Sequence, residues 1–129
     1  MKILGIDYGR KKIGIAVGIS GFSEPLKVIR VLGFDDAVSK VKKEIGSEAA
    51  DKVIVGVSEG AMGEESARFA SAVGSQLPIK VETFDETLTS KDAQNLSIQA
   101  GVSRTKRRVL EDAYAASVML QNYLDSIKA

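Results

Sequence analysis

Three places in the 129 residues set carboxylates where a fold can gather them: Asp7, the pair Asp85-Glu86, and Asp112. The chain has no His and no Cys, which removes the commonest general base, the thiolate nucleophile and the usual zinc ligands. Any chemistry therefore falls to carboxylates, lysines, hydroxyls or an oxygen-loving metal. Close-packed bare carboxylates repel and take up protons unless a cation holds them together. Oxygen-only ligands with open positions suit Mg²⁺ or Mn²⁺. Such a site can activate water and stabilise an in-line displacement at phosphorus. Taken singly, each acid also has a plainer role. Asp7 can cap a turn, and Asp112 can favour the positive end of a helix.

The elements that would position these acids can be read from apolar runs and their punctuation. Ile3 to Ile6 and Ile13 to Val17 pair as a hairpin around Gly9 to Lys12, with Asp7 at the end of the first strand. Gly21 to Pro25 punctuates, and Leu26 to Leu32 reads as a third strand. Asp35 or Asp36 can cap a helix to about Ile45, closed by Gly46. Lys52 to Val57 is a buried strand, followed by a Gly- and Ser-rich loop, Ser58 to Gly63, which lacks the ending of a P-loop. The next helix has Ser66, Ala70, Val73 and Leu77 on one stripe and stops at Pro78. Ile79 to Phe84 is a fifth strand running into Asp85-Glu86, whose alternation puts only one of the two on a given face. A helix from Thr89 or Ser90 to Gly101 and a last helix to about Ile127 complete the order.

In that last helix Val109, Ala113, Ala116, Leu120, Tyr123 and Ile127 recur at steps of three and four, defining a buried stripe. Asp112 falls roughly 60° from its centre and Glu111 on the far side, so Asp112 can face the sheet while Glu111 faces water. Strands joined through helices lie parallel and hairpin strands antiparallel. The expected architecture is an α/β fold with a mixed five-stranded sheet, the first strand central. Ligands of open α/β sheets sit at the carboxyl ends of the strands, where Asp7 and Asp85-Glu86 both lie.

Length, 44% hydrophobic and 27% charged residues describe one globular domain over residues 1–129. With a net charge of +1, nucleic-acid binding must come from local patches. Two exist: Arg10, Lys11 and Lys12 in the first turn, and Arg104, Lys106, Arg107 and Arg108 before the last helix. Either would neutralise a phosphate backbone, or be a solvated surface. With no Trp and few other aromatics, backbone and shape recognition is expected over base readout. The N-terminal apolar run is too short for a signal peptide, and no stretch suits a membrane span. The expected location is the cytoplasm.

GIDYGRKKIGIAVG, VIVGV, FDETLTS and EDAYAASVMLQNYL together resemble the YqgF/RuvX family of bacterial RNase H-like proteins. That family is described as Holliday junction resolvases and pre-16S rRNA nucleases. The resemblance covers nearly the whole chain and implies an RNase H-like fold with helices on both faces. It also implies a metal-dependent nuclease, using Mg²⁺ or Mn²⁺, acting on RNA precursor or branched DNA as a monomer or homodimer. By the family's motifs, Asp7, Asp112 and one of Asp85 or Glu86 would be metal ligands, Glu86 being favoured. Thr87 stands where the family has arginine, removing a guanidinium that could contact phosphate or form an ion pair. The first hairpin is also similar to that of actin-like and sugar-kinase ATPases, which need two such domains where this chain has room for one.

Overall fold

The computed structural model describes residues 1–85 and 110–127. Five strands, β1 (Lys2–Asp7), β2 (Lys12–Ile19), β3 (Phe22–Arg30), β4 (Lys52–Val57) and β5 (Lys80–Asp85), form one sheet in the order β3-β2-β1-β4-β5. Pairs β1–β2 and β2–β3 are antiparallel, while β1–β4 and β4–β5 are parallel. The first strand is central, as its apolar run predicts. Helices α1 (Phe34–Glu48) and α2 (Gly60–Gly74) cover one face, and α3 (Glu111–Ser126) covers the other.

Strand alternation divides the core in two. Leu4, Ile6, Ile13, Ile15, Val53 and Val55 point towards α1 and α2 and pack on Val41, Ile45, Phe69 and Val73. Ile3, Ala16 and Ile54 point towards α3 and meet Ala116, Met119, Leu120 and Leu124. On the α3 side Gly5, Gly14 and Gly18 leave gaps between these side chains, directly under the helix. A Cβ on Gly5 would sit 2.9 Å from the Leu120 Cβ, and one on Gly14 would sit 1.9 Å from the Asp112 carbonyl oxygen. Gly14 lets the helix backbone rest directly on its strand, Gly5 brings the Ala116 carbonyl close, and Gly18 makes room for the Leu120 and Leu124 side chains.

Several boundaries differ from the sequence expectation. β3 begins at Phe22, not Leu26, because Ser20 and Gly21 (φ 56° and 85°) make a two-residue turn and the strand runs straight through Pro25. Proline is tolerated there because β3 is an edge strand and a register shift falls between Ile15 and Ala16. Gly33, not Asp35 or Asp36, is the N-cap of α1, and Asp36 reaches back to accept the Leu32 N–H at 2.8 Å. That helix passes through Gly46 and ends where Ala49 takes a left-handed conformation (φ 51°). α2 starts at Gly60, inside the expected loop, and stops at Gly74, short of Leu77. Ile127 is exposed rather than buried, and Glu111 is partly buried rather than solvent-facing. The expected helix from Thr89 or Ser90 to Gly101 lies outside the described residues.

Candidate active site

Asp7 ends β1 and has Gly14 of β2 as its antiparallel partner and Gly56 of β4 as its parallel one. Directly opposed antiparallel residues share a face, so Asp7 is on the α3 side with Gly14. There the first turn of α3 lies against the sheet, with the Asp112 backbone occupying the space a Gly14 side chain would need. Paired Cα atoms are about 4.5–5.5 Å apart, so Asp7 and Asp112 are neighbours at the carboxyl end of the central strand. Both are partly buried.

Lys12 Nζ lies 3.3 Å from Asp112 Oδ2. The sequence nominates Lys12 as a contact to a phosphate backbone; the structure engages it with a carboxylate of the candidate site. Arg10, from the same turn, also has a carboxylate partner, its Nε donating to Glu65 Oε1 at 3.1 Å. Lys11 is exposed.

Asp85 pairs with Val57, and alternation puts it on the face of Val81 and Thr83, away from Asp7 and Asp112. Of the two acids the sequence offers at this strand end, the structure therefore separates Asp85 from the other carboxylates. Glu86, Arg104, Lys106, Arg107 and Arg108 lie outside the described residues. Among the described residues no three acidic side chains gather as a cation cage. The Asp7–Asp112 pair nonetheless fits a hard divalent ion, since Mg²⁺ is commonly held by one or two carboxylates, with water and substrate phosphate filling the rest.

Elements far from the site hold α3 in place. At the β2–β3 turn, the Ser23 hydroxyl donates to the Ser117 carbonyl at 2.6 Å and Gln121 Nε2 donates to the Gly21 carbonyl at 3.0 Å. Towards the helix C-terminus, the Lys52 ammonium donates to the Tyr123 hydroxyl and pairs with Glu82, which keeps the lysine pKa above its ordinary value.

Sequence reasoning missed a second cluster on the opposite face. Tyr8 is buried, stacked on Phe69 at 4.6 Å between centroids, and its hydroxyl donates to Glu65 Oε2 at 2.6 Å. Burial, reinforced by the Glu65 carboxylate, pushes the Tyr8 pKa up to about 12. The same hydrogen bond holds the Glu65 carboxyl below its ordinary value. The residues are 57 positions apart, and no local spacing rule links them.

A family model described as RuvX, Holliday junction resolvase, matches residues 1–126. A relative from Desulforamulus reducens is 33% identical over 134 residues, covering 98% of each chain. One from Bacillus cytotoxicus is 36% identical over 140 residues, covering 98% of this chain and 99% of its own. Both carry the name "Putative pre-16S rRNA nuclease". In fold the chain is similar to Thermus thermophilus RuvC in complex with a Holliday junction substrate (TM-score 0.68, 16% identity, 100% and 98% of the two chains). It is also similar to the fowlpox virus Holliday junction resolvase (TM-score 0.69, 15% identity, 98% and 99%). At such identities the structural likeness establishes the fold, an RNase H-like sheet of matching order. The match over residues 1–126 together with the relatives' identity establishes more: this chain belongs to the RuvX (YqgF) family of nucleases.

Proposed function

We propose that this protein is a divalent-metal-dependent phosphodiesterase that trims the ends of 16S rRNA precursor in the cytoplasm, acting as a single domain. The observation that carries this reading is the juxtaposition of Asp7 and Asp112 across Gly14 at the carboxyl end of the central strand. Asp7, Asp112 and Glu86 would hold Mg²⁺ or Mn²⁺, Glu86 being preferred over Asp85 because the latter is on the other face. When bound, the metal supplies charge neutralisation at the scissile phosphodiester and acidifies water. The chain's own part is to fix the two carboxylates on a rigid strand end and helix start. Lys12 balances the Asp112 charge when no cation is present and turns to the substrate backbone when one is. Lys11, with Arg104, Lys106, Arg107 and Arg108, supplies further phosphate contacts.

The test is cleavage in Mg²⁺ or Mn²⁺ of 16S precursor ends and of a four-way DNA junction, side by side, by the wild type, Asp7→Asn and Asp112→Asn. Cleavage of the precursor that both substitutions abolish supports the reading; full cleavage by Asp7→Asn overturns it. A second reading, junction resolution by a two-fold homodimer, is favoured by the description of the matching family and would appear as cleavage of the DNA junction instead. A third, a nucleic-acid-binding assembly factor without turnover, is favoured by Thr87. It would bind RNA undiminished and cut neither substrate.

A further inference from the structure

Behind Asp7, on the face covered by α1 and α2, the structure opens a cleft of about 520 Å³ lined by Tyr8, Arg10, Gly33, Phe34, Glu65 and Arg68. Its size falls in the range of small-ligand sites and far exceeds what an inorganic anion fills. Two guanidiniums face one carboxylate, so the lining is net positive. Glu65 is already committed to the Tyr8 hydroxyl and to Arg10 Nε. Arg10 therefore keeps its terminal amino groups, and the exposed Arg68, whose charge reaches Glu65 and Tyr8 through space, makes no hydrogen bond or ion pair among the described residues. Phe34 is partly exposed, and its ring is braced edge-on by Tyr8 and Phe69 at 6.4 and 6.3 Å. A planar apolar wall beside two phosphate-binding forks is the chemistry that recognises a base and its phosphate together.

We infer that the cleft between Arg10, Phe34 and Arg68 is a binding site for one nucleotide, its phosphate on the two guanidiniums and its base against Phe34. Asp7 ends β1 on the α3 side and Tyr8, the next residue, packs into the core on the α1 and α2 side, so a nucleotide seated here lies just across the end of the sheet from the carboxylate pair. The site stands on its own lining and does not require the metal chemistry proposed above.

The experiment is a titration of the ¹⁵N-labelled protein with AMP and, separately, inorganic phosphate, in EDTA so that no divalent ion bridges phosphate to Asp7. The expected result is saturable AMP binding, with a Kd on the order of 1 mM or tighter and amide shifts centred on Gly33 and Phe34. Arg68→Ala, a surface change, weakens AMP about tenfold. Phe34→Leu, which keeps most of the volume, weakens AMP several-fold and leaves phosphate unchanged. Asp7→Asn binds AMP as the wild type does, which separates this site from the proposed metal centre. Absence of saturable AMP binding, or binding that survives Arg68→Ala, overturns the site. Phosphate binding as tight as AMP with no effect of Phe34→Leu overturns the nucleotide in favour of a bare anion.

Discussion

The two faces of the sheet both bury apolar side chains, but they differ in how closely the helices approach the strands. Towards α1 and α2, large side chains fill the space: Phe69, Leu4, Ile6, Ile13 and Ile15 are fully enclosed. Towards α3, the sheet presents glycines and the helix backbone comes down onto them. A face packed by side-chain volume can relax when one group is trimmed or swapped. Where helix backbone meets a glycine, as Asp112 and Ala113 meet Gly14, there are fewer soft degrees of freedom, and that contact lies at the end of the sheet that carries Asp7 and Asp112. The difference teaches that at the Asp7 end of the sheet the α3 side fixes position by backbone contact, in addition to burying its own apolar core.

Substitutions can break this contrast or sharpen it. The largest effect is expected at Asp7: Asp7→Asn should lower cleavage on the order of 10³-fold or more while thermal unfolding stays near wild type, read by paired activity and circular dichroism. Phe69→Ala, on the volume-packed face, should cost about 3–5 kcal/mol in urea unfolding, with residual cleavage per folded molecule retained. Gly14→Ala should cost less stability, about 1–3 kcal/mol, yet lose activity nearly as fully as Asp7→Asn, because the new methyl displaces the Asp112 backbone. If Gly14→Ala cleaves normally, the backbone-contact account of the site is wrong.

Tyr8→Phe should cost about 1–2 kcal/mol at neutral pH through the lost bond to Glu65, and it also tests a pH dependence. Because the folded-state pKa of Tyr8 is raised from 10.0 to about 12, its contribution is complete below pH 10 and disappears as pH rises from 10 to 12. The wild type should therefore lose stability more steeply over that window than Tyr8→Phe, and its difference absorbance should show a late titration that Tyr8→Phe lacks. The smallest effect is expected at Gly46→Ala in α1, where a methyl meets nothing within 4 Å. A gain of about 0.5–1 kcal/mol is expected there, from helix propensity alone.

What could be read in advance follows the range over which each signal acts. β4 was legible residue for residue, because Val53 to Val57 is a continuous apolar run set between Asp51-Lys52 and Ser58-Glu59. The approach of Asp112 to the sheet was legible because Ala113, Ala116, Leu120 and Tyr123 recur at helical spacing, and all four are buried. The start of β3 was not, because Pro25 reads as a breaker until its edge position and the adjacent bulge are known. Nor was the start of α2: Gly60 and Gly63 read as loop, whereas Gly63 is set so close to the Ser58 carbonyl that a side chain has no room. The Tyr8–Glu65–Arg10 cluster and the cleft beside it depend on α2 bringing Glu65 and Phe69 against the turn that follows β1, which no local pattern encodes.

The outer strand β3 bears on how copies of this chain meet. Pro25 has no N–H to offer an incoming strand, and Glu24, Lys27 and Arg30 load the same segment with charge. A strand so equipped is a poor template for pairing, in the way natural edge strands resist aggregation. Self-association by continuing the sheet past β3 is thereby disfavoured, and the protein can be concentrated on its substrate without its own edge recruiting further copies.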